Sequence, residues 1–369
     1  MPLVTDSEMG HPGQAEVIRW YPHKLVRGTC EREGWPKMLS RGSVAIDLGT
    51  VNTLVWVDGR DLVLEEPSTI AVDDSTGSVA AIGAAAEALA DKEPKDIRVI
   101  HPLRDGVIAD LDATAEMLHG FLRKSGALSG PFKRRALVCV PGGATWVERR
   151  SVVAAFGTRR PRCAVELVDE PVAAAAGAGF DLSAGAGGFV VDVGGGTTEV
   201  AAVAGWRVVR AESLRMAGNA MDEAIISAAR SSLGMILGQR AARQLKSELG
   251  LTGGTEGWAE AVGLDAARRT PRIEKVPGDL VAAALEPVVS AIGGTVQAVL
   301  SDIPAGLAED VVRGQVRLSG GGALLPGLAE RIAEIAGIGV VIADDPLRCV
   351  VRGAAAMLTA GGAPGVPAR

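Results

Sequence analysis

Residues 189–203 read FVVDVGGGTTEVAAV: an apolar run ending in Asp192, then Gly194, Gly195 and Gly196, then Thr197 and Thr198, then apolar residues again. Residues 44–57, VAIDLGTVNTLVWV, follow the same order, with Asp47 closing an apolar run ahead of Gly49, Thr50, Val51, Asn52 and Thr53. Each stretch predicts a β-hairpin whose turn is left open by small residues. Both are followed by helical stretches, so the chain is expected to contain two related α/β halves.

Composition agrees with that expectation. At 369 residues the chain exceeds the size at which one hydrophobic core stops growing, which calls for two lobes. Hydrophobic residues make up 47% but aromatics only 3%, so the interior must pack through small side chains. The net charge of -6 is mild and the basic residues are dispersed, which argues against nucleic acid as a main ligand. Cys30, Cys139, Cys163 and Cys349 are far apart, suggesting neither a zinc site nor a disulfide framework and fitting a reducing cytoplasm. No charged segment leading into an apolar core opens the chain, which argues against a secretory signal. Residues 280–300 are mostly apolar but carry Glu286, Pro287 and Gln297, so a buried helix is expected there rather than a membrane span.

Residues 1–41 show no sustained period and are expected to lie outside the fold, either as a disordered appendage or as the product of a start site placed upstream of Met38. A rival reading takes residues 17–26 as a membrane-touching amphipathic helix, which Pro22 would break. Lobe I is expected over residues 42–182 and lobe II over 183–346. A helix returning to lobe I and a flexible tail then occupy 347–369. Helices are expected at 114–124, 145–156, 171–178, 221–233 and 324–336, the second opened by a capping box of Thr145 and Glu148.

The chemistry of the two turns suits a polyphosphate. Glycine lets backbone N–H groups approach phosphate oxygens, and Thr50 and Asn52 add donors. A carboxylate beside phosphates requires an intervening cation, which fits Mg²⁺ held through water by Asp47 and, in the second copy, Asp192. Taken alone, either loop is also an ordinary hairpin turn; the pair is harder to dismiss. A third element, Ser319-Gly320-Gly321-Gly322, follows an apolar strand and suits either close approach to an adenine ring or a tight strand-to-helix turn. Glu170 precedes Pro171 at a helix start, where it serves either as a cap or as a group that orients water for attack on a γ-phosphate. The chain contains no Gly-Lys dipeptide, which excludes a Walker A loop.

These residues resemble the actin, heat-shock chaperone and sugar-kinase superfamily, and within it the MreB/Mbl-type bacterial cell-shape proteins. The likeness runs from about Ser43 to Leu358. It is carried by Ile46 to Leu54, Pro102 to Asp110, Val147 to Arg150, Asp192 to Val200, Met221 to Ile226, Ser319 to Leu325 and Ala343 to Leu347. The resemblance implies a two-lobed actin-like ATPase fold with ATP and Mg²⁺ in the interlobe cleft. It also implies slow hydrolysis, membrane-associated double filaments, and work with cell-wall synthesis machinery such as MreC and RodZ. By position, Asp47 to Thr53 resembles the first phosphate loop and Asp192 to Thr198 the second. Glu170 resembles the water-positioning glutamate, Thr197 the γ-phosphate sensor, and Ser319 to Ala323, with Gly320, Gly321 and Gly322, the adenosine loop; Lys246 is a further candidate for cofactor binding.

One position departs from the pattern. Arg243 stands where the family usually has a nucleoside-contacting glutamate, and arginine cannot accept hydrogen bonds from ribose hydroxyls. Gly142 replaces a common serine and Asn219 a common aspartate. The resemblance implies a membrane-inserting loop at about residues 128–132, ahead of Lys133, Arg134 and Arg135, a stretch that also reads as an ordinary solvated loop. Two other readings stay open: a small-molecule kinase on the same fold, and a non-polymerising nucleotide-binding adaptor.

Overall fold

The computed structural model describes residues 17–20, 43–90, 92, 94–127, 134–157, 163–182 and 186–359. The loop at 128–133, singled out above for membrane contact, lies outside the described residues.

Two sheets organise the chain. The first runs in the order Cys163–Asp169, Arg134–Val140, Val44–Leu48, Asn52–Val57, Asp61–Pro67. The second runs Val17–Trp20, Arg207–Leu214, Thr198–Ala204, Gly187–Val193, Val316–Ser319, Val340–Ile342. Each is parallel on one side of its hairpin and antiparallel on the other. The strands Val44–Leu48 and Gly187–Val193 sit at matching places and read as almost unbroken apolar runs, as strands covered on both faces must.

Between the sheets lie two helices, Glu170–Gly177 and Cys349–Thr359, packed on one another. Their Ala173, Ala174, Ala354 and Ala355 form one core with Ala45 and Leu137 of the first sheet and Val190 and Ala201 of the second. A Cβ at Gly177 would run into the Cys349 carbonyl, and one at Gly353 into the Ala173 carbonyl. The alanine-rich composition thus has a structural cause: only small side chains let two helices share the layer that joins the lobes. Separate cores fill each lobe on the outer side of its sheet, around Phe121 and Met117 in one and Phe189 and Met221 in the other.

Each lobe carries a small accessory unit. In lobe I, Ile70–Asp73, Val79–Ile82 and Ile97–Ile100 form a sheet beside the helix Ala84–Ala90. In lobe II, Met235–Leu237, Trp258–Asp265 and Pro271–Pro277 pair beside the helix Gln239–Leu249.

Most of the expected helices form at Leu111–Lys124, Trp146–Gly157, Glu170–Gly177 and Gly218–Leu233. The capping box at the second is made: the Thr145 N–H donates to Glu148 Oε2 at 2.6 Å, and the Glu148 N–H to Thr145 Oγ1 at 3.3 Å. The helix expected at 324–336 instead splits into a 3₁₀ turn, Gly321–Leu324, and a helix, Leu328–Ala336. Pro326 disfavours helical backbone at Leu325, which is extended, and Gly327 takes a φ of 85°. The helix Gly278–Ser301 is long and apolar enough to cross a membrane by length and composition, yet here it packs Val281, Leu285, Val289 and Ile292 into the core of lobe II.

The segment 1–41 is not wholly outside the fold. Val17–Trp20 pairs antiparallel with the edge strand Arg207–Leu214, from Val17 opposite Leu214 to Trp20 opposite Ala211.

Candidate functional site

The two hairpins face each other across a cavity of about 380 Å³ between the lobes. Their turns are closed alike: the Gly49 N–H donates to the Asn52 carbonyl at 3.1 Å, and the Gly194 N–H to the Thr197 carbonyl at 2.9 Å. Asp47 pairs in register with Leu54, and Asp192 with Glu199. The turns also touch. A Cβ at Gly195 would run into the Val51 side chain, and one at Gly196 into Thr50 Oγ1 and the Asp105 backbone. Glycine is required here for close approach, not only for a turn. Thr50 Oγ1 meanwhile accepts the Gly106 N–H at 2.9 Å, fixing the first loop to a neighbouring segment.

Most of the residues singled out from the sequence line this cavity: Asp47, Gly49, Thr50, Val51, Asn52, Glu170, Asp192, Gly194, Gly195, Gly196, Thr197, Arg243, Lys246, Gly320, Gly321 and Gly322. Thr53, Thr198, Ser319 and Ala323 do not line it and are buried. Gly320, with φ 79°, lies against the Val193 carbonyl so closely that no side chain fits.

Carboxylates converge at the hairpin end. Asp192 is buried and accepts the Ser319 hydroxyl at 2.6 Å, a contact set by the parallel register that places Asp192 opposite Ser319. Burial raises the Asp192 pKa above the usual carboxylate range, although the Ser319 hydroxyl opposes the shift. Burial, with the charge of Asp192 beside it, pushes Asp47 up to about 7. Glu170 heads its helix, is buried, and is driven well above its usual value by desolvation and then by Asp47 and Glu199. Like charges held together out of water demand either protons or a cation.

That arrangement fits Mg²⁺ held indirectly. Among the described residues no group of three or more His, Cys, Asp or Glu forms a direct metal cage. Two carboxylates facing a roomy cavity match an ion that keeps most of its waters.

Glu199 belongs to this cluster and was not singled out from the sequence. It is fully buried, accepts the Ser213 hydroxyl at 2.6 Å, and burial pushes it up to about 8. The signal was available: an acidic residue in an otherwise apolar strand, seven positions after Asp192 and directly opposite it once the hairpin closes.

The far end of the cavity is built from long side chains. On the helix Gln239–Leu249, Arg243 and Lys246 share a face. Lys246 Nζ donates to the Gly218 carbonyl at 2.8 Å and pairs with the buried Asp222 at 2.6 Å. Arg243 reaches Asp222 at 3.3 Å, Gln239 at 3.2 Å and, from lobe I, Glu87 at 3.2 Å. Leu324, Leu325, Leu347 and Met221 add apolar wall near the Gly320 loop. Of these residues, Arg243 and Lys246 were singled out as candidate site residues from the sequence, and Asp222, Glu87 and Leu347 were not.

Two lobes joined by a shared helical layer, with paired aspartate-headed hairpins facing one cavity, define the actin-like two-lobed fold. The structure is similar to MreB 5 of Spiroplasma citri bound to AMPPNP, with a TM-score of 0.80 and 30% identity over 87% of this chain and 96% of that one. The MamK double helical filament is similar in fold, with a TM-score of 0.72 at 22% identity, over 86% of this chain and 99% of that one. The family model for MreB/Mbl protein matches residues 41–363. Over 322 residues the chain is 41% identical to the cell shape-determining protein MreB of Escherichia coli K12, spanning 84% of this chain and 91% of that protein. It is 35% identical over 317 residues to the cell shape-determining protein Mbl of Bacillus subtilis strain 168, spanning 85% and 95%. The chain belongs to the MreB/Mbl family of actin-like cell-shape-determining proteins.

Proposed function

We propose that this chain binds ATP with Mg²⁺ in the interlobe cavity, hydrolyses it slowly, and polymerises into filaments. Those filaments lie on the cytoplasmic face of the membrane and organise cell-wall synthesis and cell shape. The observation that carries the reading is the convergence of both hairpins, Glu170 and the Gly320 loop on one cavity. An AMPPNP-bound relative at 30% identity supports nucleotide as the occupant.

Each part of the site has a role in this reading. Backbone N–H groups of Thr50 to Asn52 and Gly195 to Thr197 hold the phosphate chain, since N–H groups gathered in a turn favour anions. Bound Mg²⁺ supplies charge neutralisation at the phosphates, with Asp47 and Asp192 anchoring its waters. Glu170 orients the attacking water, and Thr197 senses the γ-phosphate. Arg243 and Lys246 flank the nucleoside, and the Gly320 to Gly322 loop faces the base. Partners are further copies of this chain, wall-synthesis proteins such as MreC and RodZ, and the membrane surface.

Ultracentrifugation tests the reading. With ATP and Mg²⁺ the purified chain should sediment above a critical concentration, and more so with anionic liposomes. If it binds ATP yet never sediments, the adaptor reading replaces the filament; ADP formation dependent on an added sugar would support a kinase instead.

A further inference from the structure

Beside the interlobe cavity, which Arg243 lines, an ion pair joins the two accessory units. Glu87, on the lobe I helix Ala84–Ala90, meets Arg243, on the lobe II helix Gln239–Leu249, with Nη1 3.2 Å from Oε1. Both partners are held in place. The Thr69 hydroxyl donates to Glu87 Oε2 at 2.7 Å, and His101 stands 3.3 Å from the same hydroxyl. Arg243 is anchored to its own lobe by Asp222 and Gln239. Asp222 is itself fixed by Lys246, which lines the cavity. Burial by itself pushes the Glu87 carboxyl up, but Thr69, His101 and Arg243 outweigh it and hold the group below its usual range.

A side chain that lines a cavity and also bonds to the opposite lobe must let go before the lobes part. We infer that Glu87 and Arg243 form a clasp across the cavity mouth that sets how fast a bound nucleotide leaves, with Arg243 acting through Glu87 rather than by reading the nucleoside. A positioning role of this kind gives the arginine a function that needs no acceptor toward ribose. The inference rests on the nucleotide reading of the cavity for its release rate, but the clasp itself is a property of the two lobes.

Release of a fluorescent ATP analogue, measured by stopped flow with Mg²⁺, tests it on the full chain. Glu87→Gln, Arg243→Gln and the double variant keep side-chain shape and remove the pair. A clasp predicts that all three release the analogue faster by the same factor, about 2- to 5-fold for a half-exposed pair, and that the difference from wild type shrinks in high salt. Factors that multiply in the double variant, or release unchanged from wild type, would overturn it. If wild-type protein retains no nucleotide, the cavity reading fails separately. The clasp is then judged by spin labels at Val79→Cys and Val262→Cys, exposed positions on the two accessory units. Wider interlobe distances in the Gln variants support it, and identical distributions overturn it.

Discussion

At one end of the cavity the chain presents backbone and buried carboxylates; at the other it presents long, half-exposed side chains paired with one another. The hairpin end depends on how closely Gly195 and Gly196 let two turns approach, and on Glu170, Asp192 and Glu199 being buried near the half-buried Asp47. The far end depends on Arg243, Lys246 and Asp222, joined by Glu87 from 156 positions away. Backbone geometry tolerates little change because no side chain substitutes for a missing Cβ. Charge pairs tolerate replacement whenever a complementary group lies within reach. That difference explains how an arginine stands at 243 while the hairpin loops keep their pattern.

The largest expected effect lies at the hairpin end. Glu170→Ala should slow single-turnover phosphate release by about 10²-fold, the usual contribution of a positioned base, while leaving nucleotide binding within a few-fold of wild type. A loss of binding equal to the loss of rate would mean that Glu170 is structural.

Next comes the pH response of the nucleotide-free, Mg²⁺-free protein. Glu199 has a folded pKa of about 8 against an ordinary 4.5, and Asp47 about 7 against 3.8. The folded state therefore holds protons that the unfolded state has already lost, so the contribution is full below pH ~4 and is lost as pH rises toward ~8. Glu199→Gln should flatten this decline and stabilise the protein at pH 8.5 by a few kcal/mol, at roughly 1.4 kcal/mol per pKa unit. Urea midpoints across pH measure it. A variant less stable than wild type at pH 8.5 would show that the carboxylate is ionised at no cost.

Gly196→Ala sharpens the comparison from the packing side. Its Cβ meets Thr50 Oγ1 and the Asp105 backbone, so the loops must separate, at a cost of about 1–3 kcal/mol in urea unfolding and with weaker nucleotide binding. Gln239→Ala at the far end removes one of Arg243's partners and should stay within about 1 kcal/mol. The smallest effect is that of salt. Raising ionic strength from 0.1 to 0.5 M should speed nucleotide release by no more than about 2-fold, since screening reaches the half-exposed pair at Arg243 more than the buried carboxylates.

Much of this molecule could be read along the chain. The Asp47 and Asp192 hairpins, the Thr145 capping box and the glycine turn at Ser319 are local: turn chemistry and alternation act over a dozen residues or fewer. Both aspartate-headed turns form the same Gly N–H to carbonyl bond, as their matching sequences imply. Even the alanine excess pointed to close packing, although not to which helices use it. The edge strand Val17–Trp20 and the break at Pro326 were read less well. The first depends on a partner strand about 190 residues away, and in the second a proline overrode helical periodicity.

What the sequence determined by itself was the set of groups proposed to meet phosphate: glycines that permit close backbone approach, and carboxylates at strand ends. Only tertiary structure decided that Glu199 is buried opposite Asp192, and that Arg243 finds Glu87 across the cavity. Desolvation and ion pairing depend on which distant segments the fold brings together, and no local pattern records that choice.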